Sequence, residues 1–395
     1  MKQKMLLKKL WNSSNHKPNM LGNQLPLKRL SSALLVLISW IMNAQIIFKI
    51  TKLPENKENS RIFLASSINN WNPGDQQFEF TKINGFYTLT IPNPSQKIEY
   101  KITQGNWETA EDSPNRVLEV SNSSKTVELK IQNWAQPKEK KHTAASNVKI
   151  LSENFKIPQL NTTRKIWIYL PPDYETSSKR YPVIYMHDGQ NLFDEFTSFS
   201  GEWSVDETLN DIYKATGKSA IIIGIDNGGE TRLAEYSPWN NDKYKTKGEG
   251  DLYTDFLAKT LKPYIDKTYR TQKQASKTLI MGSSMGGLIS LYASVKYPTV
   301  FGKAGIFSPA FWFVSKDLKT YLNKNHNNLK NSKFYFVAGK NEDETMAPEI
   351  AVVYQALVKK SVPEKNIIVK IDEDGTHSES YWKRELKQAL IWLLN

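Results

Sequence analysis

The sequence has no cysteine at any of its 395 positions. Disulfide bonds, thiolate catalysis, cysteine-linked lipids and cysteine-based metal sites are therefore excluded. Long apolar runs are also scarce, and the run at 30–42 is shorter than the roughly 20 residues that a membrane-spanning helix needs. A chain without disulfides depends on its own hydrophobic core, and this length is enough for two domains of about 100–200 residues each.

Acidic residues are missing from positions 1–44, which hold seven lysines and arginines. The chain has a formal charge of +13, so these seven account for more than half of it and leave +6 for the remainder. Such a mild excess is typical of a solvated lysine-rich surface. We therefore expect no nucleic-acid partner.

The basic N-terminal segment has the pattern of a targeting signal. Lys28 and Arg29 precede the apolar run 30–42, and the small residue Ala44 follows it. A charged start, a short apolar stretch and a small residue at the cleavage point describe a secretory signal. We predict a presequence and signal peptide at 1–44, cleavage after Ala44, and an exported protein, periplasmic or secreted, without a membrane span. The alternative is an uncleaved anchor.

Residues 45–132 are rich in short alternating strands separated by turn clusters. We predict strands at 61–65, 77–80, 86–91, 97–102 and 126–131. Strands at this spacing indicate a small antiparallel β-sandwich of about 90 residues. The polar, charged segment 133–147 is predicted to be a linker.

From 148 to 395 near-continuous apolar runs alternate with helical patterns. Strands that are apolar on both faces are typical of a parallel sheet covered by helices on both sides. The strands are predicted at 181–186, 219–225, 278–281, 303–307, 334–337 and 366–371, preceded by an antiparallel strand at 163–170. Helices are predicted at 203–215, 249–268, 285–297, 347–360 and 379–394. The sequence thus predicts an α/β domain.

A G-x-S-x-G motif, 282–286, directly follows a predicted strand and precedes a predicted helix. That context suits a serine nucleophile on a sharp turn, because glycine neighbours avoid collisions at its apex. The helix that follows would direct backbone N–H groups toward a developing oxyanion. Ser284 is therefore the predicted nucleophile, and a packed strand-to-helix turn is the alternative.

A serine hydroxyl needs a base, and only five histidines are present. His16 lies in the predicted presequence, His142 in the predicted linker and His326 in a polar segment, while His187 ends a strand ahead of the serine. His377 lies between the last predicted strand and the last predicted helix, where the α/β-hydrolase fold has its histidine. We predict His377 as the base.

The histidine needs a carboxylate that fixes its tautomer. Three adjacent acids, Glu342, Asp343 and Glu344, follow the penultimate predicted strand. Residue type and spacing do not choose between them. We favour Glu342 and keep Asp343 as the alternative.

Residues 163–395 resemble an esterase family of α/β hydrolases that includes enterochelin-type siderophore esterases, feruloyl and acetyl esterases and mycolyltransferases. The resemblance rests on five segments in the family's order: 171–174, 186–194, Arg232 with 235–239, 282–287, and 374–377 with Trp382. It implies an α/β-hydrolase fold, a mostly parallel sheet covered by helices. It also implies that Glu342, in a Gly-x-x-acid pattern, is the acid.

The same resemblance implies further site residues. The backbone N–H groups of Gln190 and Met285 would form the oxyanion hole, and His187 would hold the first of these loops. Substrate would contact Arg232, Tyr236 and Trp382. The alternative for Arg232 is an ion pair with Glu230 or Glu235.

The first domain resembles starch- and glycogen-binding sandwiches of immunoglobulin-like form. The matching segments are Asn70-Trp-Asn-Pro73, Tyr100-Lys-Ile102, Trp107-Glu108 and Pro114-Asn-Arg116. The resemblance implies α-glucan binding, with Trp71 and Trp107 stacked on sugar rings and Lys101 and Asn115 donating hydrogen bonds. The alternative is a domain that serves only as a packing partner, with Trp107 in its core.

Together these patterns predict a serine esterase that hydrolyses a carboxylic ester through an acyl-enzyme. The substrate would be a small-molecule or polysaccharide ester, such as an acylated polysaccharide or a siderophore ester. Alternatives are an acyltransferase or peptidase with the same residues, or a carbohydrate-binding protein with an inactive hydrolase domain. No cofactor and no metal site are predicted.

Overall fold

The computed structural model describes residues 44–395, apart from 55–59, 70, 95–96, 120–122, 136–139, 200 and 341. Of the predicted signal segment, all but Ala44 lies outside the described residues, as does Asn70. Contacts divide the chain into two compact units between Glu139 and Lys140. Within the part of the chain that is described, we find no helix with the length and hydrophobicity to span a membrane.

The first unit is built from two small sheets. One has the strand order β3-β4-β1-β7 and the other β2-β5-β6. Alternate residues of β1, Ile46, Phe48 and Ile50, are buried in the core between them, as expected for strands with one face inward. The strands are β1 Gln45–Lys52, β2 Phe63–Ser66, β3 Thr81–Ile83, β4 Phe86–Pro92, β5 Ile98–Thr103, β6 Arg116–Leu118 and β7 Lys125–Lys130.

One predicted strand of this unit is wrong. Residues 77–80 were expected to be extended, but Gln76–Phe78 form a 3-10 turn. The carboxylate of Asp75 accepts a hydrogen bond from the backbone N–H of Gln77, and this local bond competes with strand pairing. Only Glu79 forms an isolated bridge, to Phe63.

The predicted linker 133–147 is too long at both ends. Trp134 is buried in the core of the first unit, and the N–H of Ala135 donates to the carbonyl of Ala110. At the other end, Thr143 and Ala145 donate their N–H groups to Asp194 and Asp206 in the second unit. The segment 140–147 therefore belongs to the second unit, and its polar residues serve these bonds.

The second unit contains an eight-stranded sheet of order β15-β14-β13-β12-β10-β11-β9-β8. Its strands are β8 Val148–Ile157, β9 Thr162–Tyr169, β10 Val183–His187, β11 Ile221–Ile225, β12 Thr278–Ser283, β13 Lys303–Phe307, β14 Lys333–Gly339 and β15 Ile367–Asp372. The pairs from β11 through β10 to β15 are parallel, while β8 and β9 are antiparallel. This is the predicted α/β-hydrolase fold.

Helices cover both faces of this sheet, so its central strands are buried throughout. Two separate apolar clusters fill the two sides. The helices are α1 Val205–Thr216, α2 Arg232–Glu235, α3 Gly250–Phe256, α4 Lys262–Thr268, α5 Met285–Lys296, α6 Ser315–Lys324, α7 Met346–Lys359 and α8 Glu379–Leu394. A π-helical turn, Leu257–Leu261, joins α3 to α4. All parallel strands thus present their carboxyl ends at one edge, where ligands of open α/β sheets bind.

Candidate active site

Ser284 occupies the turn between β12 and α5. Its backbone angles, φ 55° and ψ −121°, lie in a region that non-glycine residues rarely adopt. The turn is held from both sides, because the N–H of Ser284 donates to the carbonyl of Phe307 at 2.9 Å and its own carbonyl accepts from Ala310 at 3.0 Å. The strained conformation is therefore built into the packing of the turn.

The glycines of the motif allow close packing around this turn. A Cβ at Gly282 would lie 2.9 Å from the carbonyl carbon of Gly286, and one at Gly287 would lie 3.1 Å from the carbonyl oxygen of Phe307. Side chains at these positions would push α5 away from the strand ends. The spacing of the motif is thus explained by contact distances.

His377 lies on the loop between β15 and α8, and Glu342 on the loop after β14. The Nδ1 atom of His377 lies 2.8 Å from Oε2 of Glu342. The carboxylate side chain is 1% exposed, whereas the imidazole is 41% exposed. The other carboxylate oxygen, Oε1, accepts from the hydroxyl of Ser308 at 2.7 Å and from the N–H of Gly339 at 2.6 Å. Three donors therefore orient one buried carboxylate.

Two glycines bring these loops together. A Cβ on Gly339 would lie 2.1 Å from the carbonyl oxygen of Gly375, so a side chain there would force the two loops apart. Gly339 lies three residues before Glu342, and Gly375 lies two residues before His377. The close contact between the two glycines therefore places the acid and the imidazole side by side.

Asp343, the alternative acid, has a different role. Its carboxylate accepts hydrogen bonds from the N–H groups of Thr345 and Met346 and from the hydroxyl of Thr345. These bonds cap the first turn of α7, a usual task of aspartate. Glu342 and not Asp343 contacts the histidine.

Gln190 and Met285, the predicted oxyanion donors, follow β10 and β12, which are paired in the sheet. Met285 is the first residue of α5, so its N–H belongs to the positive end of that helix. Gln190 lies in a 3-10 turn, Gly189–Asn191. The side-chain oxygen of Gln190 accepts a hydrogen bond from the N–H of Asn227. Their placement on adjacent strand ends is compatible with one shared oxyanion position.

Arg232 forms an ion pair, but with neither predicted partner. Its Nε and Nη2 atoms donate to the two carboxylate oxygens of Asp188 at 2.7 and 2.8 Å. Asn227 donates to the same carboxylate. Burial alone would raise the pKa of Asp188, but the guanidinium of Arg232 holds it below its usual value. Glu235 instead binds Arg164.

Tyr236 does not fit its predicted role in substrate binding. Its side chain is fully buried, and its hydroxyl oxygen accepts a hydrogen bond from the N–H of Asp188 at 3.3 Å. The arginine above it lies 5.1 Å from the ring centroid. Because the ring is buried beneath the loop that carries Gln190, it has no face that a ligand could contact. Tyr236 therefore supports this loop.

His187 is buried beside the same loop. Its Nδ1 atom lies 3.0 Å from the hydroxyl of Tyr253. Burial lowers the pKa of His187 to about 3. A histidine that stays neutral at this depth packs against Gly282 and Gly286 and helps to hold the turn of Ser284.

A cavity of about 690 Å³ lies over these strand ends. Ser284, His377, Gln190, Arg232 and Trp382 all line it. The Nε1 atom of Trp382 donates to the hydroxyl of Ser308, and its ring meets His377 edge-on at 5.1 Å between centroids. Further wall residues, which sequence reasoning did not find, are Lys140, Asn191, Thr197, Phe199, Trp203, Asn227 and Glu379.

Ser308 was also missed, although a signal for it exists. It is the first residue after β13, at the same edge of the sheet as the other site residues, and it bonds both Glu342 and Trp382. A polar residue at the carboxyl end of a parallel strand is a general indication of a site. Asp188, the first residue after β10, is likewise a polar residue at the carboxyl end of a parallel strand.

In the first unit, the two predicted sugar-stacking residues lie next to each other. The rings of Trp71 and Trp107 have centroids 6.2 Å apart with a tilt of 40°, and both side chains are half-buried. Lys101 lies in β5, and Asn115 directly precedes β6, which pairs with β5. Trp107 is therefore not a core residue.

The chain matches the family model described as "Putative esterase" over residues 157–393. It is 27% identical over 244 residues to the uncharacterized protein YbbA of Bacillus subtilis, which covers 58% of this chain and 92% of that protein. It is 26% identical to iron(III) enterobactin esterase of Escherichia coli K12, over 60% of this chain but only 55% of that enzyme.

A solved structure has the same fold over most of the chain. Enterochelin esterase from Shigella flexneri superposes with a TM-score of 0.54 and 17% identity, covering 88% of this chain and 91% of that one. The family match extends over more than half of the sequence and includes every residue of the cavity wall except Lys140. The chain therefore belongs to the "Putative esterase" family and is an ester hydrolase of the α/β-hydrolase fold.

Proposed function

We propose that the protein is a serine esterase that acts through an acyl-enzyme. Ser284 attacks the carbonyl carbon of a carboxylic ester while His377 takes its proton. The backbone N–H groups of Gln190 and Met285 stabilise the oxyanion. His377 then protonates the leaving alcohol, and a water molecule, activated by the same imidazole, releases the acid.

One observation carries this proposal. The Nδ1 atom of His377 is engaged by the buried carboxylate of Glu342, so Nε2 is the ring nitrogen available for the serine proton. His377 and Ser284 line the same cavity, and the serine stands in a strained turn that exposes its hydroxyl. An imidazole that is held by a buried acid and lines the same cavity as the serine supports the role of a general base.

The proposal is tested with p-nitrophenyl acetate and Ser284→Ala. We expect this variant to lose several orders of magnitude in kcat, as triad variants do. Ser283→Ala is the matched control, since Ser283 also lines the cavity but ends the buried strand β12. Equal rates for Ser284→Ala and the wild type would end the serine mechanism.

The substrate class we propose is an ester of a polysaccharide or a siderophore. Phe199, Trp203 and Trp382 give the cavity aromatic walls, which suit a feruloyl or similar aryl acyl group. The name of the Escherichia coli relative, iron(III) enterobactin esterase, supports the siderophore choice. A panel of acetylated xylan, feruloylated arabinose and a catecholate siderophore ester distinguishes them by kcat/KM.

The same residues could transfer the acyl group to an acceptor other than water, or cleave an amide. Hydrolysis of an ester, acyl transfer to another acceptor and cleavage of an amide give different products, which can be measured. Adding an alcohol or sugar acceptor to the assay would divert the acyl group from the free acid to a new ester if the protein is a transferase. A p-nitroanilide substrate tests the peptidase reading, and turnover of esters alone favours the esterase.

A second function is proposed for the first unit, namely α-glucan binding at Trp71 and Trp107. Two half-buried indoles side by side provide the flat aromatic surface that sugar C–H faces prefer. Retention of the protein on glycogen or amylose resin should be lost in Trp71→Ala. Trp312→Ala, which removes an exposed indole of the other unit, is the control; weak retention that is unchanged in Trp71→Ala would dismiss this function.

We also propose that the protein is exported to the periplasm or beyond. The support is the basic, then apolar, pattern at 28–44. Mass spectrometry of the N-terminus of the protein in the exported fraction should find Gln45 first. A full-length N-terminus in the membrane fraction would instead favour the uncleaved anchor.

A further inference from the structure

Three acidic side chains meet at the N-terminal end of α1. Asp206 and Glu207 are in the first turn of this helix, and Glu202 precedes it. One carboxylate oxygen from each lies within 4.8 Å of the other two. The positive end of α1 favours nearby negative charge, but this weak effect does not by itself explain three acids at this spacing.

Two oxygens of this acidic cluster, Glu202, Asp206 and Glu207, lack a donor within the described part of the chain. Asp206 is fully buried; its Oδ2 accepts from the N–H of Ala145 at 2.7 Å, but Oδ1 has no partner. Oε2 of Glu207 is buried and likewise without one. Leaving a buried charged acceptor unsatisfied is costly, so such oxygens point to a bound positive species.

The spacing of the three carboxylates leads to the same conclusion. Carboxylate oxygens held within 4.8 Å of one another repel when they are ionised. A positive species bound among them would offset this repulsion and would give the two buried oxygens a partner.

We propose that the acidic cluster binds a divalent cation, and that this cation is Ca²⁺. The available ligands are all oxygens, which hard cations prefer. The three oxygens lie within 4.8 Å of one another and can therefore share one cation, and Ca²⁺ tolerates the irregular oxygen geometry of such a cluster. Mg²⁺ requires shorter bonds and near-octahedral geometry and usually retains several waters. The sequence analysis predicted no metal site, because no convincing cluster of ligands is visible in the sequence.

The cation would hold the segment 140–147 on the α/β unit. Ala145 donates to Asp206 and the hydroxyl of Thr143 donates to Glu202, so two ligands of the cation are also anchors of this segment. Lys140, at its start, donates to the carbonyl of Ser198 and lines the cavity of Ser284. The cation therefore has a structural role, and its binding does not depend on the serine mechanism.

The test measures thermal unfolding of the protein after EGTA treatment, at pH 7.5. We expect Ca²⁺ at a hundredfold excess over its Kd to raise Tm by about 5 °C, and Mg²⁺ to raise it less. Asp206→Asn and Glu207→Gln should abolish the calcium response, whereas Asp211→Asn, an exposed acid on the same helix, should retain it. Ser284→Ala should also retain it, which separates this proposal from the serine mechanism.

Terbium luminescence gives a second readout that does not require the variants to be stable. Tb³⁺ occupies calcium sites, and the indole of Trp203, next to Glu202 in the chain, should sensitise its emission. Ca²⁺ should displace this signal, and Glu202→Gln should weaken it. A wild-type Tm that is unaffected by Ca²⁺, or a calcium response that persists in Asp206→Asn, would overturn the proposal and leave a shared proton as the occupant.

Discussion

Replacing Glu342 with glutamine would invert the proton arrangement of the histidine without changing its surroundings. In the protein, Oε1 of Glu342 accepts from the hydroxyl of Ser308 and the N–H of Gly339, and Oε2 faces Nδ1 of His377. The amide oxygen of a glutamine must stay with the two fixed donors. Its NH₂ group then donates to Nδ1, so the ring proton moves to Nε2 and the imidazole cannot accept a proton from Ser284.

The size of the effect follows from this tautomer. In serine proteases, an asparagine in place of the triad aspartate keeps the geometry but lowers kcat by about 10⁴. That factor corresponds to about 5.5 kcal/mol at about 1.36 kcal/mol per factor of ten. Because Glu342 is 1% exposed, water cannot enter to replace the lost carboxylate. We expect a loss of about 10⁴ for Glu342→Gln as well.

The measurement is kcat and KM for p-nitrophenyl acetate at pH 7.5, with Tm as a check of folding. Because two of the three hydrogen bonds of Glu342 are kept, Tm should change by only a few degrees. Asp343→Asn is the matched control, since this neighbouring acid caps α7 and should leave kcat unchanged. A Glu342→Gln variant within tenfold of the wild type, or an equal loss in Asp343→Asn, would refute the reasoning.

Three further predictions concern the elements that hold the site. Gly339→Ala places a Cβ 2.1 Å from the carbonyl of Gly375, so we expect a loss of about 1–3 kcal/mol in unfolding free energy together with a drop in kcat, both measured on one preparation. Arg232→Ala leaves the carboxylate of Asp188 buried without its ion pair and should destabilise the protein by about 3–5 kcal/mol, whereas a role of Arg232 in substrate binding alone would leave Tm unchanged. Burial lowers the pKa of His187 in the folded protein to about 3, from its ordinary value of 6.5. The unfolded chain therefore binds the proton first as the pH falls, and the free energy of unfolding decreases below about pH 6.5. Between pH 6.5 and 5, urea unfolding should show that the wild type loses about 1.5 kcal/mol more than His187→Gln.

The α/β fold was predictable because its signal is local and repeated. Apolar runs such as 219–225 and 278–281 correspond to β11 and β12 within two residues at each end, since strands buried on both faces need apolar residues at every position. The motif at 282–286 was equally clear, because a sharp turn between a buried strand and a helix admits few sequences. These features depend on neighbours in the chain.

Features that depend on contacts between distant residues were not predictable. Arg232 is predicted to contact substrate, with an ion pair to Glu230 or Glu235 as the alternative, but its ion-pair partner is Asp188, 44 residues away. Tyr236 was placed beside the substrate because its segment resembles a family motif, yet it lies under the loop of Asp188. A motif indicates which segment surrounds a site, whereas the direction of each side chain is set by packing with other segments.

The choice between Glu342 and Asp343 illustrates the same limit at one position. Both acids are on one loop, one residue apart, and either has the chemistry that His377 needs. The structure separates them through two contacts: the close approach of Gly339 to Gly375, which aligns the two loops, and the start of α7, which takes Asp343 as its cap. The two acids are told apart by the segments that they reach in the folded chain. Glu342 contacts Ser308 and His377, which lie on two other loops, whereas Asp343 accepts from N–H groups at the start of α7. Neither set of contacts follows from residue type or spacing, because both depend on how the loops meet.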